Sequence, residues 1–466
     1  MDDNRKELSA IAGIAAPLAV TQLSQLVMGL AASFVLGRID GAALAAGGLC
    51  AIVIQLLTVV SQGFISGAHP LMAAARGRRD ATVDGDGDGG MARSFGGGVA
   101  TAAICAIVAT ALLSQLPTLL GVFPLEAAVM RGVDDFLRAG TFAIPAIFWI
   151  IPIRFYFSVC GRAWVVMTAI AVGACLYLGL LNLLVFGGAG IAPRGIAGAG
   201  QAFAISWWAI AVGLTLASLF SGFLPVAMLR DAKRGALRTL PQVWSIGWPI
   251  ALIYAAELGL TVAMTLLVSK FGTVAIIANQ IAHTINSIAF NPVVALGQAA
   301  TVRVAYHAGA GQPVAARKAG NLALSLAVGL MAGLGLLIFV GAGHIVPVFL
   351  DRNAAEYAAV ETLTHHLLLI LAAFLVFDGL QSVANGALRG LRDTRLPMLI
   401  GLGGYWLLAV PVAVLLAFSF GLGAIGIWIG ILIGITGVGA LLLMRWRRLT
   451  TDAGLSLTIP SAVEAA

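Results

Sequence analysis

Charge is scarce in this chain. Only 10% of its 466 residues are Asp, Glu, Lys or Arg, and 60% are apolar, against about 25% charged in an ordinary soluble domain. So few charges cannot cover a water-facing surface. A soluble globular protein is excluded, and lipid is the solvent that remains. Cysteine is nearly absent: Cys50, Cys105, Cys160 and Cys175 are the only four. They lie scattered in apolar stretches without a CxxC pair, so they read as small buried hydrophobes, not as a disulfide or thiolate–metal framework. The six histidines are dispersed as well. His365 and His366 are adjacent, but neighbouring helical residues point in different directions, which argues against a metal site. No cluster of nucleophile, base or metal ligands gathers at one depth. The chain is therefore expected not to be an enzyme and to carry no resident cofactor.

Long uncharged runs are what it has in abundance. No Asp, Glu, Lys or Arg occurs in 8–37, 41–75, 94–125, 163–193, 195–229, 271–302, 319–350 or 396–444. A helical span needs about 20 largely apolar residues, so the longer runs must split, as around Gly421–Leu422–Gly423. Dividing them at Gly/Pro-rich turns predicts spans at 8–37, 42–75, 94–116, 128–158, 164–187, 196–222, 240–269, 272–306, 317–342, 357–389, 396–419 and 422–444. The first comes after the short polar stretch Met1–Glu7 without a cleavage-type site and reads as retained. The expected fold is all-α and polytopic, with about 12 transmembrane helices.

The basic residues orient these spans. With the N-terminus in the cytoplasm, 21 of the 27 Lys and Arg fall on that side and 6 on the other. Miscounting the spans by one would scramble the bias. The expected location is a bacterial-type inner membrane with both termini cytoplasmic. The net charge of +7 is then a topology signal and requires no nucleic acid.

Six spans precede the basic stretch Arg230–Arg238 and six come after it. This predicts an N-terminal six-helix bundle at 1–229, a connector at 230–238, a C-terminal bundle at 239–448 and a tail at 449–466. An even number per half makes any duplication a pair of parallel repeats about an axis along the membrane normal. Weak self-similarity agrees. "GRAWVVM", ending at Met167, corresponds to "RDTRLPM", ending at Met398, and each is followed by a G-x-x-G pair, Gly195/Gly198 and Gly423/Gly426. Two such bundles can rock about a central cleft. Many of the 57 glycines lie inside spans, where small residues let helices approach closely. Segment 76–93 reads as a solvated loop. Its D-x-D-x-D-G run resembles a calcium loop, but the twelfth position from Asp84 is Phe95 rather than Glu.

Ionisable groups inside neutral spans are the most informative residues. Each costs roughly 2.5–3.5 kcal/mol at mid-helix, so its presence points to function. Glu257 is the only such charge in 239–269, and Asp378 the only one in 362–388. A carboxyl in a cavity can carry a proton near neutral pH. A carboxylate pair with nearby carbonyl oxygens can instead hold Na⁺, and no other metal is expected. Candidate companions are Gln280, Asn286, Asn291 and Gln298 in span eight, with Gln381 and Asn385 in span ten. Asp378, Gln381 and Asn385 recur at i, i+3, i+7 and share one helical face.

These residues sit in segments that resemble the MATE (multidrug and toxic compound extrusion) transporters, in particular their NorM-like branch, over roughly 8–448. The strongest likeness is "NGALRGLRDTRLPMLIGLGGYWLLAVPVAVLL" (385–416) with "GAIGIWIG" (423–430). "ANQIAHTINSIAFNPVVALGQAATVRVAYHAGAG" (278–311) and "GWPIALIYAAELGLTVAMTLLVSKFG" (247–272) resemble the family's spans eight and seven. The resemblance implies cation coupling at Glu257 and Asp378, a polar span-five position at Asn182, and a coupling ion of H⁺ or Na⁺. It implies a monomeric antiporter in the bilayer exporting small lipophilic, often cationic, organic compounds. Two positions depart from the pattern. Ala32 stands where the family's span-one aspartate falls, and Phe374 where relatives place a cation-site tyrosine. Coupling is therefore expected in the second half. The alternative within the superfamily is a lipid-linked oligosaccharide flippase. That function should present a basic central cavity, yet few basic residues lie far from a span end, Arg154 being the nearest case.

Overall fold

The computed structural model describes residues 2–81, 87–122, 125–188, 190–353 and 355–451. Among them there are helices and no strands. The principal helices are α1 (Asp2–Gly37), α2 (Gly41–Ala81), α3 (Gly87–Ser114), α4 (Ala127–Gly140 with Ala143–Val159), α5 (Ala163–Phe186) and α6 (Gly195–Phe220). They continue with α7 (Val226–Val268), α8 (Thr273–Gly309), α9 (Pro313–Phe349), α10 (Tyr357–Gly390), α11 (Arg395–Ser419) and α12 (Gly423–Leu449). Eleven of these are individually long and apolar enough to cross a bilayer, and α4 makes twelve when its two pieces count as one span. The chain is a multi-pass membrane protein.

The pieces of α4 meet at 53°, and the cause is local. Pro145 has no N–H to offer the Thr141 carbonyl, which is taken instead by Ile144 N–H at 3.1 Å, three residues on. α2 is interrupted at Ser66–Gly67, where Ser66 N–H and Oγ both return to the Gln62 carbonyl.

The stretch 230–238, expected as a connector, is helical and part of the continuous helix Val226–Val268, because nothing in R-D-A-K-R-G-A-L-R forces the backbone out of a helix once both flanks are helical. One expectation is corrected. Segment 76–93 is not one loop. Residues 76–81 complete α2 and 87–93 open α3, while 82–86, Asp84 among them, lie outside the described residues, as does 452–466 of the tail.

The internal repeat has a structural basis. Gly161 and Arg392 occupy equivalent positions six residues before Met167 and Met398, and both take left-handed backbone, with φ 69° and 61°. The hydrogen bonds repeat as well. Arg162 N–H reaches the Phe157 carbonyl at 2.8 Å, and Asp393 N–H reaches Leu388 at 3.0 Å. Each is the wide bond of a left-handed helix stop, the conformation for which glycine is the usual choice. Downstream, Gly195 and Gly423 both open a helix at φ 55°. Gly198 and Gly426 press those helices against the ends of α5 and α11. A Cβ would stand 2.3 Å from the Leu184 carbonyl oxygen or 2.7 Å from Ala417 N.

Contacts divide the chain into two compact units. One contains everything from Leu252 onward, with α1 up to Ala19 and the end of α2 from Gly77; the other contains Val20–Arg76 and the later helices through Ala251. In the first unit α10 packs against α8, α9 and α12. It approaches α8 backbone to backbone at Gly386, where a Cβ would lie 2.2 Å from the Gly297 carbonyl oxygen. Thr301 Oγ1 donates across the same contact to the Gly386 carbonyl at 2.8 Å. In lipid, close approach and interhelical hydrogen bonds of this kind replace the hydrophobic effect as the packing force.

Candidate functional site

The site lies in the unit that contains the chain from Leu252 onward and is assembled from three helices. α7 supplies Glu257, half-buried. α10 supplies Asp378, Gln381 and Asn385, which are 7%, 3% and 5% exposed. The face predicted from their i, i+3, i+7 spacing is thus turned into the protein.

The third helix brings a group that sequence reading passed over. α11 is not α-helical throughout: Gly403–Ala409 winds as a π-helix, with Val410 N–H bonded to the Tyr405 carbonyl five residues back. Pro411 comes at once after it and has no N–H for the carbonyl four residues before it, so regular α-register cannot pass this point intact. Wider π-turns often mark functional sites. This one directs Tyr405 inward, where it is 1% exposed.

The Tyr405 hydroxyl donates to Glu257 Oε1 at 2.9 Å and accepts from Gln381 Nε2. Gln381 Nε2 also stands 3.4 Å from Glu257 Oε1. Glu257, Tyr405 and Gln381 therefore form a closed triangle across three helices, and Asp378, one turn before Gln381, interacts electrostatically with Glu257. Trp406 lies against the backbone of α7 two residues beyond the carboxyl. A Cβ on Gly259 would come within 3.0 Å of its ring, so glycine there lets α11 sit close enough for Tyr405 to reach.

Two amide oxygens, Gln381 Oε1 and Asn385 Oδ1, are buried without a hydrogen-bond partner. Buried acceptors left unsatisfied are costly and uncommon. Both belong to the buried face of α10 that carries Asp378, and oxygen acceptors are the chemistry by which hard cations are bound. Among the described residues no group of three His, Cys, Asp or Glu comes together. Two turns on from Gln381, Arg389 Nη1 donates to the Tyr254 hydroxyl at 2.8 Å with its guanidinium over that ring. It is close enough to act electrostatically on Glu257.

The remaining candidates divide. Gln298 and Asn286, on α8, each have a buried side-chain oxygen without a partner. Asn291 donates to its own helix at Ser287, 2.7 Å away, and Gln280 is exposed. Asn182 belongs to the other unit, is exposed, and donates to the Leu178 carbonyl one turn back at 3.0 Å. Phe374 is 6% exposed and meets Trp428 edge to face at 6.4 Å. Trp428 in turn donates to Asn279 Oδ1 at 3.0 Å. The position therefore serves aromatic packing, and the phenolic hydroxyl at the carboxyls comes from Tyr405 instead. The only signal for Tyr405 in the sequence is its place in the segment 385–416, where the family resemblance is strongest. Helical periodicity could not have shown its direction, because the π-turn changes the register.

Comparison with known proteins bears on the family and the fold. The family model described as MatE matches residues 17–184 and 249–415. The chain is 36% identical over 449 residues to the probable multidrug resistance protein NorM of Burkholderia pseudomallei, covering 95% of this chain and 93% of that one. It is 34% identical over 449 residues to the protein of the same description from Pseudomonas aeruginosa, covering 95% and 90%. Among solved structures, that of MATE in complex with MaL6 superposes with a TM-score of 0.85 at 17% identity, covering 97% of both chains. The eukaryotic MATE transporter AtDTX14 gives 0.82 at 19% identity, over 98% of this chain and 100% of that one. At these identities the structural likeness establishes the fold.

Proposed function

The chain belongs to the MATE family of membrane transporters, and from that premise we propose that it is a cation-coupled exporter of lipophilic, often cationic, organic compounds. Its relatives are named as multidrug resistance proteins, which supports the substrate class. The observation that carries the coupling is the closed triangle of Glu257, Tyr405 and Gln381 beside Asp378. Two carboxyls in the span region at one place, with partnerless amide oxygens next to them, are expensive unless they exchange an ion.

In the proposed cycle the site binds H⁺ or Na⁺ from outside, drug leaves, and the transporter turns inward. There the ion is released and another drug molecule is captured. Both termini are placed in the cytoplasm, on the strength of the basic residues. One charge moving inward yields about 2.3 kcal/mol per 100 mV, and each pH unit about 1.36 kcal/mol. Exchanging one cation for one monovalent drug cation moves no net charge, so the voltage contribution cancels and only the ion gradient drives export.

The test is drug efflux by everted vesicles, driven separately by a proton and a sodium gradient. The Glu257→Gln/Asp378→Asn variant is expected to lose gradient-driven transport. Retained transport at the wild-type rate would remove these carboxyls from the mechanism.

A further inference from the structure

A second polar network lies in the same unit, near the C-terminal end of α8, where the transport site makes no use of it. Glu7, near the start of α1, is 9% exposed. It receives Arg303 in a two-pronged ion pair, Nε to Oε1 at 2.7 Å and Nη2 to Oε2 at 2.6 Å. His307, one turn further along α8, meets both partners. Its Nε2 is 2.9 Å from Arg303 Nη2 and 3.2 Å from Glu7 Oε2, and its Nδ1 is 3.1 Å from Gln312 Oε1. Arginine offers only donors and a carboxylate only acceptors, and His307 Nε2 stands within reach of both. Between these two residues, the Tyr306 hydroxyl donates to Asp80 Oδ2 at 3.0 Å. Gly77 fits under the Tyr306 carbonyl, where a Cβ would lie 2.0 Å from the oxygen. A little over one turn of α8 thus grips the first turns of α1 and the last turn of α2.

Those two segments are where the chain passes from one unit to the other. α1 is counted with α8 up to Ala19, α2 joins it again from Gly77, and Val20–Arg76 belongs to the second unit. The buried face of the first part of α1 is a stripe of Glu7, Ile11, Ile14 and Leu18 at i, i+4, i+7 and i+11. α1 is continuous through Ala19, so holding its first turns restrains the remainder of that helix. The side chains of Arg303, Glu7 and His307 are only 19%, 11% and 12% exposed. Water cannot easily replace the pair piecemeal, and it is made or broken as a unit.

We propose that Arg303, Tyr306 and His307 form a latch that holds the first turns of α1 and the last turn of α2 on α8 in this conformation, and that Glu7 and Asp80 must leave α8 for those segments to move. The idea that their release is part of a cycle rests on the transport function proposed for the chain; the latch itself does not. In the full chain with its four cysteines replaced by alanine, Ile11→Cys places a thiol where wild-type exposure is 0%. Its reaction with N-ethylmaleimide in proteoliposomes reports that release. Glu7→Gln should speed labelling by about tenfold or more, the population shift expected for losing a charge-assisted two-pronged pair. Glu7→Arg/Arg303→Glu, which keeps the attraction, should restore slow labelling. Labelling no faster in Glu7→Gln than in the parent overturns the latch, as does a swapped pair that labels as fast as Glu7→Gln.

The second arm joins Glu7→Cys to Arg303→Cys with a short bis-maleimide and measures drug efflux. Joined chains should export at under about a tenth of the unjoined rate, and an equal rate overturns the proposal. If the parent itself shows no gradient-driven efflux, the transport function fails, and the labelling arm still decides the latch.

Discussion

Replacing Tyr405 by Phe removes one oxygen and one proton from the site and leaves the ring, with its packing, in place. In the structure that hydroxyl donates to Glu257 Oε1 at 2.9 Å and accepts from Gln381 Nε2. A hydrogen bond to an ionised group contributes about 1.5–3 kcal/mol. With about 1.4 kcal/mol per tenfold change in an equilibrium constant, its loss alters the ion-binding equilibrium at Glu257 by about 10- to 150-fold. Gln381 can recover part of this, since its Nε2 already stands 3.4 Å from the same oxygen. The expected result is at the lower end: gradient-driven efflux at a limiting gradient falls about tenfold, while drug binding without a gradient changes less than about twofold. The assay is a cycle of variants in proteoliposomes, with Tyr405→Phe, Glu257→Gln and the pair compared under identical gradients. If the hydroxyl acts through the carboxylate, Tyr405→Phe has no further effect once Glu257 is Gln. Fully additive losses, or a Tyr405→Phe transporter coupled as well as the wild type, would refute the argument.

Two further changes test the scaffold. Gly386→Ala would put a Cβ 2.2 Å from the Gly297 carbonyl oxygen and should destabilise the protein by about 1–3 kcal/mol. Thermal unfolding in detergent would show it as a lowered midpoint, and an unchanged midpoint would mean that α8 and α10 are not in close contact. Arg392→Gly should stabilise by about 1 kcal/mol. The residue stands at φ 61°, a conformation that costs an L side chain roughly 1–2 kcal/mol and glycine little. The same unfolding measurement should give a raised midpoint, and a lowered one would show that the arginine side chain contributes more than its backbone costs.

Much of this protein was legible in the amino-acid sequence because lipid is an undemanding reader. A chain with so few charges must bury its backbone polar groups in helices of span length, so the number and placement of the spans derive from apolar runs and Gly/Pro punctuation. Glu257 and Asp378 stood out for the same reason, as charges that lipid penalises. The repeat was visible at Met167 and Met398. Only the structure showed that Arg392 holds the left-handed place that glycine holds at 161, since backbone dihedrals are not written in residue type outside glycine and proline.

Tertiary structure alone decided which groups meet. Tyr405 reaches Glu257 because a π-turn ahead of Pro411 changes the register of α11 and because Gly259 admits Trp406 against α7. Both depend on packing between helices well separated in the chain. The grip of Arg303 on Glu7 across 296 residues is of the same kind. Solvent preference acts on each residue and can be read locally. Side-chain partnership depends on distances that exist only once the helices have packed.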